Sequence, residues 1–296
     1  MKYILSLLLT GGCFLQVNAQ QNFDVEAHRG GRGLMPENTI PAMLNGVRLG
    51  ARTLELDTHI TADGKVVVSH DGVMTAAIMQ KPDGTNLTKA EEKQHVLYKM
   101  TYDSIRMYIE GVKNYPMFPQ QQKVKTYKPL LADLIDSVEA YVKANHLKPV
   151  YYNIETKSKI TDDNIENPIP AVFVKLLMDV INQKHITDRV IIQSFDVRTL
   201  QILHQQMPMV KTALLISTGD YDTNIKLLGF TPTILSPEQK IVTADMVTTA
   251  HKNNVQVIPW TVNDEAAMKA LADLKVDGLI SDYPDKLVKL FGSYQK

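Results

Sequence analysis

Thr53-Leu54-Glu55-Leu56-Asp57-Thr58-His59-Ile60-Thr61-Ala62-Asp63-Gly64-Lys65-Val66-Val67-Val68-Ser69-His70-Asp71 is the stretch on which the fold of this chain turns. Its opening residues, 53–57, read as a β-strand. Residues two apart on a strand share a face, so Glu55 and Asp57 point the same way. Asp63-Gly64 then predicts a tight hairpin, with 66–70 returning antiparallel to the first run. That hairpin folds His70 back towards the two carboxylates.

Seven further runs outside this stretch read as strands, at 23–28, 150–155, 189–193, 210–216, 233–235, 255–260 and 278–281. Helical patterns separate most of them, including 39–49, 130–144, 169–183, 197–206, 244–253 and 264–274. With 53–57 these make eight strands alternating with helices, the pattern of a parallel (β/α)8 TIM barrel. An open doubly wound sheet is the rival, but no glycine-rich phosphate loop opens the first helix. The returning run 66–70 is antiparallel and stays outside the count. Residues 72–128 exceed what one barrel helix needs. They are polar, with Lys81-Pro82-Asp83-Gly84, Pro116, Pro119 and Gln120-Gln121-Gln122, and predict a cap inserted after the second strand. Its place after His70 sets it over the barrel mouth, where loops commonly select substrates.

The 296 residues suffice for one such barrel, and 44% hydrophobic with 22% charged residues is a soluble mixture able to form its core. Lys+Arg and Asp+Glu both number 32, so no long-range basic field recruits nucleic acid or an acidic membrane. Residues 1–19 predict a cleaved signal peptide: Lys2, an apolar stretch from Ile4 to Val17, then Val17-Asn18-Ala19. The stretch is too short, and too interrupted by Gly11, Gly12 and Gln16, for a membrane anchor. Export to the periplasm or the medium follows as the expectation, with 20–296 as the mature domain. Cys13 is the only cysteine, and Thr10-Gly11-Gly12 before it lacks the aliphatic residue of a lipid-attachment signal. The expected mature fold therefore has no disulfide, no thiol nucleophile and no stable membrane insertion.

Chemistry in a β/α barrel sits at the C-terminal ends of the strands, where His28, Asp57, Glu155, Gln193 and Trp260 all fall. Glu55, Asp57 and Glu155 in one mouth would repel unless a cation or protons neutralised them. An all-oxygen set suits Ca2+ or Mg2+, with Mn2+ also possible, and offers no thiolate for zinc. The bland alternative is salt bridging of one or two of them by Arg29 or Lys157. His28 and His70, near neutral pKa as free side chains, suit general acid–base proton transfers. Arg29 can grip two phosphate oxygens, and Lys157 adds a point charge. Glu37 is a supporting residue beside His28 or the metal, and Asn153, on the Glu155 face, supports the site from its strand. Asn38 reads as capping the helix that follows. His59 is expected to face solvent from the hairpin, and His204 and His251 to lie on the surface.

In order, the segments HRG, PENT, ELD, VVVSHD, NIETK, QSFD, PWTVND and DGLISDYPD run from His28 to Pro284. This set closely resembles the glycerophosphodiester phosphodiesterase family. The resemblance implies Glu55, Asp57 and Glu155 as metal ligands and His28 and His70 as catalytic. It also implies a substrate pocket with Gln193, Phe195 and Trp260. The implied reaction is hydrolysis of a small glycerophosphodiester to glycerol 3-phosphate and an alcohol. One departure concerns the alcohol: many members follow the HD pair with leucine, an acid, arginine and threonine. Here Gly72-Val73-Met74-Thr75-Ala76 follows, without that arginine. A lysophospholipase D-like relative would need a greasy groove beside the site, which the polar insertion does not advertise. A non-catalytic phosphodiester-binding barrel would be expected to have lost a histidine or carboxylate, and all are present.

Overall fold

The computed structural model describes residues 23–296. The expected signal peptide 1–19 and Cys13 lie outside the described residues. All eight expected parallel strands form: β1 (Asp24–Ala27), β2 (Thr53–Ile60), β6 (Tyr151–Thr156), β7 (Val190–Ser194), β8 (Lys211–Ile216), β9 (Ile234–Pro237), β10 (Gln256–Val257) and β11 (Gly278–Ser281). They follow the order β10-β9-β8-β7-β6-β2-β1-β11. Backbone bonds bridge the remaining seam, from Asp277 N to Val257 O (2.9 Å) and Ile280 N to Pro259 O (3.0 Å). The ladder of β10 stops short of the expected 255–260 run, ahead of Pro259, which has no N–H to offer a neighbour.

The outer ring consists of α1 (Ile40–Leu49), α3 (Leu131–Ala144), α4 (Pro170–Gln183), α5 (Val197–Gln206), α6 (Tyr221–Leu228), α7 (Ala244–Lys252), α8 (Glu265–Asp273) and α9 (Pro284–Phe291). Sequence reading did not single out α6 and α9; each is only eight residues long and buries few side chains. Several starts are set by side chains that accept an orphan N–H, as Thr39 does from Ala42 N and Asp196 from Arg198 N. The cap of α1 is thus Thr39. Asn38 is not the cap but has a different task at the site.

The antiparallel return is β3 (Val66–Val68), paired with β2 through Thr58↔Val68. The inserted segment holds β4 (Met79–Gln80), α2 (Tyr102–Ile105) and β5 (Ile109–Glu110), and is less polar inside than its composition implies. Met74, Met79, Leu97, Tyr102 and Ile105 form a small core of their own against Val67. The segment also runs back to the β1 side, where Gln121 Nε2 donates to Arg32 O at 2.7 Å and Arg32 lies 4.9 Å above the Phe118 ring.

The main core lies between strands and helices, with Leu54, Leu56, Tyr152, Ile154 and Phe173 fully buried. Inside the ring the filling is uneven. Ile191, Ala213, Ile234, Ile258 and Ile280 pack together on one side. On the other side stand buried Glu26, Glu55, Asn153 and Gln193. No helix among the described residues is long and apolar enough to cross a membrane.

Candidate active site

The polar side of the ring opens into a cavity of about 170 Å3 at the strand ends, lined by His28, Arg29, Glu55, Asp57, His70 and Glu155 among others. The parallel register Glu55↔Asn153 and Asp57↔Glu155 brings the acids of β2 and β6 side by side. One carboxylate oxygen from each of Glu55, Asp57 and Glu155 lies within 4.8 Å of the others, and all three side chains are buried.

Each acid has its own partners. Glu55 accepts from Arg29 N (2.8 Å) and from Gln193 Nε2 (2.7 Å). Asp57 accepts from Asn38 Nδ2 (2.9 Å), while its own N–H donates to Asn38 Oδ1 (3.2 Å). Glu155 pairs with Lys157 Nζ at 3.1 Å, and the same ammonium lies 3.8 Å from Asp57. Arg29 donates to Glu37 at 2.8 Å and sets Nε 3.4 Å from Asp57. The salt bridges expected as the alternative to metal binding therefore exist, yet they do not neutralise the cluster. Burial, reinforced by Asp57, holds the Glu55 carboxyl well above its ordinary range. Burial, opposed by Lys157 but aided by Asp57, pushes Glu155 up to about 7. Only Asp57 is held below its usual value, because Lys157 and Arg29 outweigh its burial. Three hard oxygen donors still short of positive charge fit a divalent cation.

His28 and Arg29 occupy a short turn, His28–Gly30, that directly follows β1. Arg29 takes a left-handed backbone conformation (φ 50°), which aims its N–H at Glu55. Gly30 (φ 79°) passes so close to α1 that a Cβ would lie 2.8 Å from Ala42. His28 Nδ1 donates to Asp282 Oδ1 at 2.5 Å, and its Nε2 lies 4.0 Å from Glu55. Burial lowers the His28 pKa, and Asp282 opposes that shift. Asp282 is itself held low, because His28 and Arg32 outweigh its burial. Arg32 Nε donates to Asp282 Oδ1 (2.7 Å) and Asn263 Nδ2 to Asp282 Oδ2 (2.7 Å).

Several expectations need correction. Glu37 does not hold His28; it pairs with Arg29 and, at 3.7 Å, with Arg32. The partner of His28 is Asp282, which sequence reading left out although it follows the end of β11. The strand-end rule that selected Asp57 and Glu155 would have found it. Gln193 lines the cavity, but its amide is committed to Glu55 and its carbonyl accepts from Asn153 at 3.3 Å. Asn153 also donates to Glu26 (2.8 Å), so it lies one layer beneath the acids. Glu26 is itself pushed well above its ordinary range by burial and by Asp24.

His59 does not face solvent. It is 3% exposed, accepts from Asn167 Nδ2 at Nδ1 (3.0 Å) and donates from Nε2 to His70 O (3.2 Å). Burial pushes its pKa down to about 4, so it is neutral and braces the backbone of His70. His70 is one-third exposed and bonds through Nδ1 to Asp71 at 3.0 Å. His204 and His251 are on the surface as expected. Phe195 and Trp260 meet edge to face (5.4 Å) at the cavity wall, with Trp260 Nε1 donating to Ser236 O.

Comparison with known proteins agrees with this geometry. Residues 28–286 match the Glycerophosphoryl diester phosphodiesterase family. A glycerophosphodiester phosphodiesterase from Bacillus altitudinis is 29% identical over 269 residues, covering 89% of this chain and 96% of the relative. The crystal structure of a protein assigned as a glycerophosphoryl diester phosphodiesterase from Silicibacter pomeroyi DSS-3 superposes with a TM-score of 0.80. It is 28% identical and covers 91% of this chain and 92% of that one. An Oleispira antarctica phosphodiesterase, solved with its product sn-glycerol-3-phosphate, shares the fold with a TM-score of 0.71 at 21% identity, covering 91% of this chain and 97% of that one.

Proposed function

The chain belongs to the glycerophosphoryl diester phosphodiesterase family, and we propose that it hydrolyses glycerophosphodiesters to glycerol 3-phosphate and an alcohol with the help of one divalent cation. The observation that carries this reading is the meeting of Glu55, Asp57 and Glu155 with His28 and His70 in one cavity. The three carboxylates would hold Ca2+, Mg2+ or Mn2+. When bound, such an ion supplies Lewis-acid polarisation of a phosphoryl oxygen and orients the ester.

The remaining chemistry belongs to side chains. Hydrolysis breaks one P–O ester bond and forms a new P–O bond to the oxygen of water, so one proton leaves the attacking oxygen and one reaches the departing alkoxide. With Nδ1 of His28 engaged by Asp282 and Nδ1 of His70 by Asp71, each ring keeps Nε2 for a proton transfer. Arg29 and Lys157, both lining the cavity, neutralise the phosphoryl oxygens, and Phe195 and Trp260 wall the substrate from bulk water. The leader pattern in residues 1–19 supports export, so this activity is proposed for the periplasm or the medium.

The test is release of glycerol 3-phosphate from several glycerophosphodiesters by the purified mature protein, before and after chelation. Activity should vanish on chelation and return with one of the three cations. Full turnover in a chelated sample would overturn metal dependence, and no hydrolysis of any glycerophosphodiester would overturn the reading as a whole.

A further inference from the structure

The inserted segment begins just after His70 and, near its other end, closes on Arg32 in the β1–α1 connection. Gln121 Nε2 donates to Arg32 O at 2.7 Å, and Gln122 N donates to Leu34 O at 2.8 Å. The ring of Phe118, only 5% exposed, has its centre 4.9 Å from the Arg32 guanidinium carbon. A guanidinium over an aromatic face is attracted to it and oriented by it. Phe118 is held in turn by edge contacts with Tyr115 (5.4 Å) and Tyr283 (6.4 Å).

Arg32 also lines the catalytic cavity. Its Nε donates to Asp282 Oδ1 at 2.7 Å, the same oxygen that accepts from His28 Nδ1. Its Nη1 lies 3.7 Å from Glu37 Oε2, while Glu37 Oε1 accepts from Arg29. One guanidinium therefore leans on both acids that hold His28 and Arg29. The backbone is built for this reach. Gly33 N donates to Asp282 O (3.0 Å), and a Cβ on Gly33 would lie 2.5 Å from the Tyr283 ring. A residue without a side chain lets this connection lie against the end of β11, which sets Arg32 across from Asp282. The Asp282 carboxylate accepts from His28, Arg32 and Asn263. Without Arg32 it would be held by Asn263 and by the very ring it orients.

We propose that Arg32 is a positioning residue through which the inserted cap acts on catalysis: the 118–122 turn holds Arg32, Arg32 holds Asp282, and Asp282 holds His28. The cap then sets the rate of cleavage for every diester, where a loop that only selected substrates would change relative rates. The proposal rests on the phosphodiesterase reading above, with His28 as one of the two proton-transfer groups.

The test uses the mature protein with its activating cation and two diesters of unlike alcohols, glycerophosphocholine and glycerophosphoglycerol. Arg32→Gln should lower kcat about tenfold on both with KM little changed, the lower end of what removing an orienting partner costs. Phe118→Leu keeps the apolar bulk but removes the ring face. It should lower kcat about two- to fivefold on both, the worth of a cation–π contact. In an Asp282→Asn background each substitution should cost less than about twofold, because its route to His28 is already cut. Additive losses in that cycle would show that Arg32 and Phe118 act through the fold at large, and would overturn the proposal. A raised KM with kcat unchanged would make Arg32 a direct substrate contact, and relative rates that shift between the two diesters would make the cap a selector; either overturns it. Should Arg32→Gln fail to fold by its urea melt, Phe118→Leu and its cycle decide. No hydrolysis of any glycerophosphodiester by the unsubstituted protein would instead overturn the phosphodiesterase reading, and this proposal with it.

Discussion

His28 and His70 line one cavity but belong to regions held in different ways. His28 follows β1 and is gripped by Asp282, a residue 254 positions away that follows β11 beside the seam of the ring, and which Arg32 and Asn263 grip in turn. His70 rides on the β2–β3 hairpin, takes its side-chain partner from the next residue, Asp71, and is one-third exposed. Beneath it His59 braces only the backbone carbonyl. The seam thus fixes one ring through buried, charge-assisted hydrogen bonds between distant segments. The hairpin fixes the other through its backbone and leaves the side chain one-third exposed.

The largest effect should come from removing either ring. His28→Ala and His70→Ala are each expected to lower kcat by roughly 10²–10⁴, the usual range for losing a positioned acid or base. Cation binding, followed by calorimetry, should survive in both. If His70→Ala abolished cation binding in a folded protein, that histidine would belong among the ligands.

Removing the partners should separate the two regions. Asp282→Asn is expected to cost about 10–100-fold in kcat, as loss of an orienting carboxylate typically does, with KM little changed. Without the Asp282 charge the imidazolium is less favoured, so the limb of the pH–rate profile that reports His28 should move to lower pH. Asp71→Asn removes a part-exposed pair and should cost no more than about threefold. Equal losses in the two variants would erase the distinction between seam and hairpin.

The smallest effect on catalysis should come from His59→Gln, whose signature lies in stability. Burial holds the folded His59 near 4, below its ordinary 6.5, so between these values the unfolded chain binds more protons. The contribution of neutral His59 is therefore complete above the ordinary value and is lost as pH falls towards 4, to a limit of about 3 kcal/mol. Urea midpoints at about pH 7.5 and about pH 5 should differ more for the native protein than for the variant. An unchanged pH slope would show that His59 is not buried in its neutral form.

His59 also shows where local reading stops. It lies two residues beyond Asp57, so the strand period already placed it on the inner face. Its cover, Asn167, arrives from the β6–α4 connection, 108 positions later. The inserted segment was read as polar because Met74, Met79, Leu97 and Tyr102 fall at no regular period; their shared core appears only once the segment folds on Val67. Asn38 sits at a helix start, where capping is the expected role, yet its side chain clamps Asp57 from both sides.

By itself the sequence determined the alternation of eight strands with helices, the common face of Glu55 and Asp57, and the hairpin that returns His70. Each of these follows from periodicity and turn chemistry within a few residues. Tertiary structure alone decided that Asp282 holds His28, that Glu37 goes to Arg29, and that Gln193 is spent on Glu55. It also decided that Ile160, Phe195 and Leu227 line one cavity of about 630 Å3. Hydrogen-bond partners and cavities are set by which distant segments the closed ring brings together, and no local pattern records that.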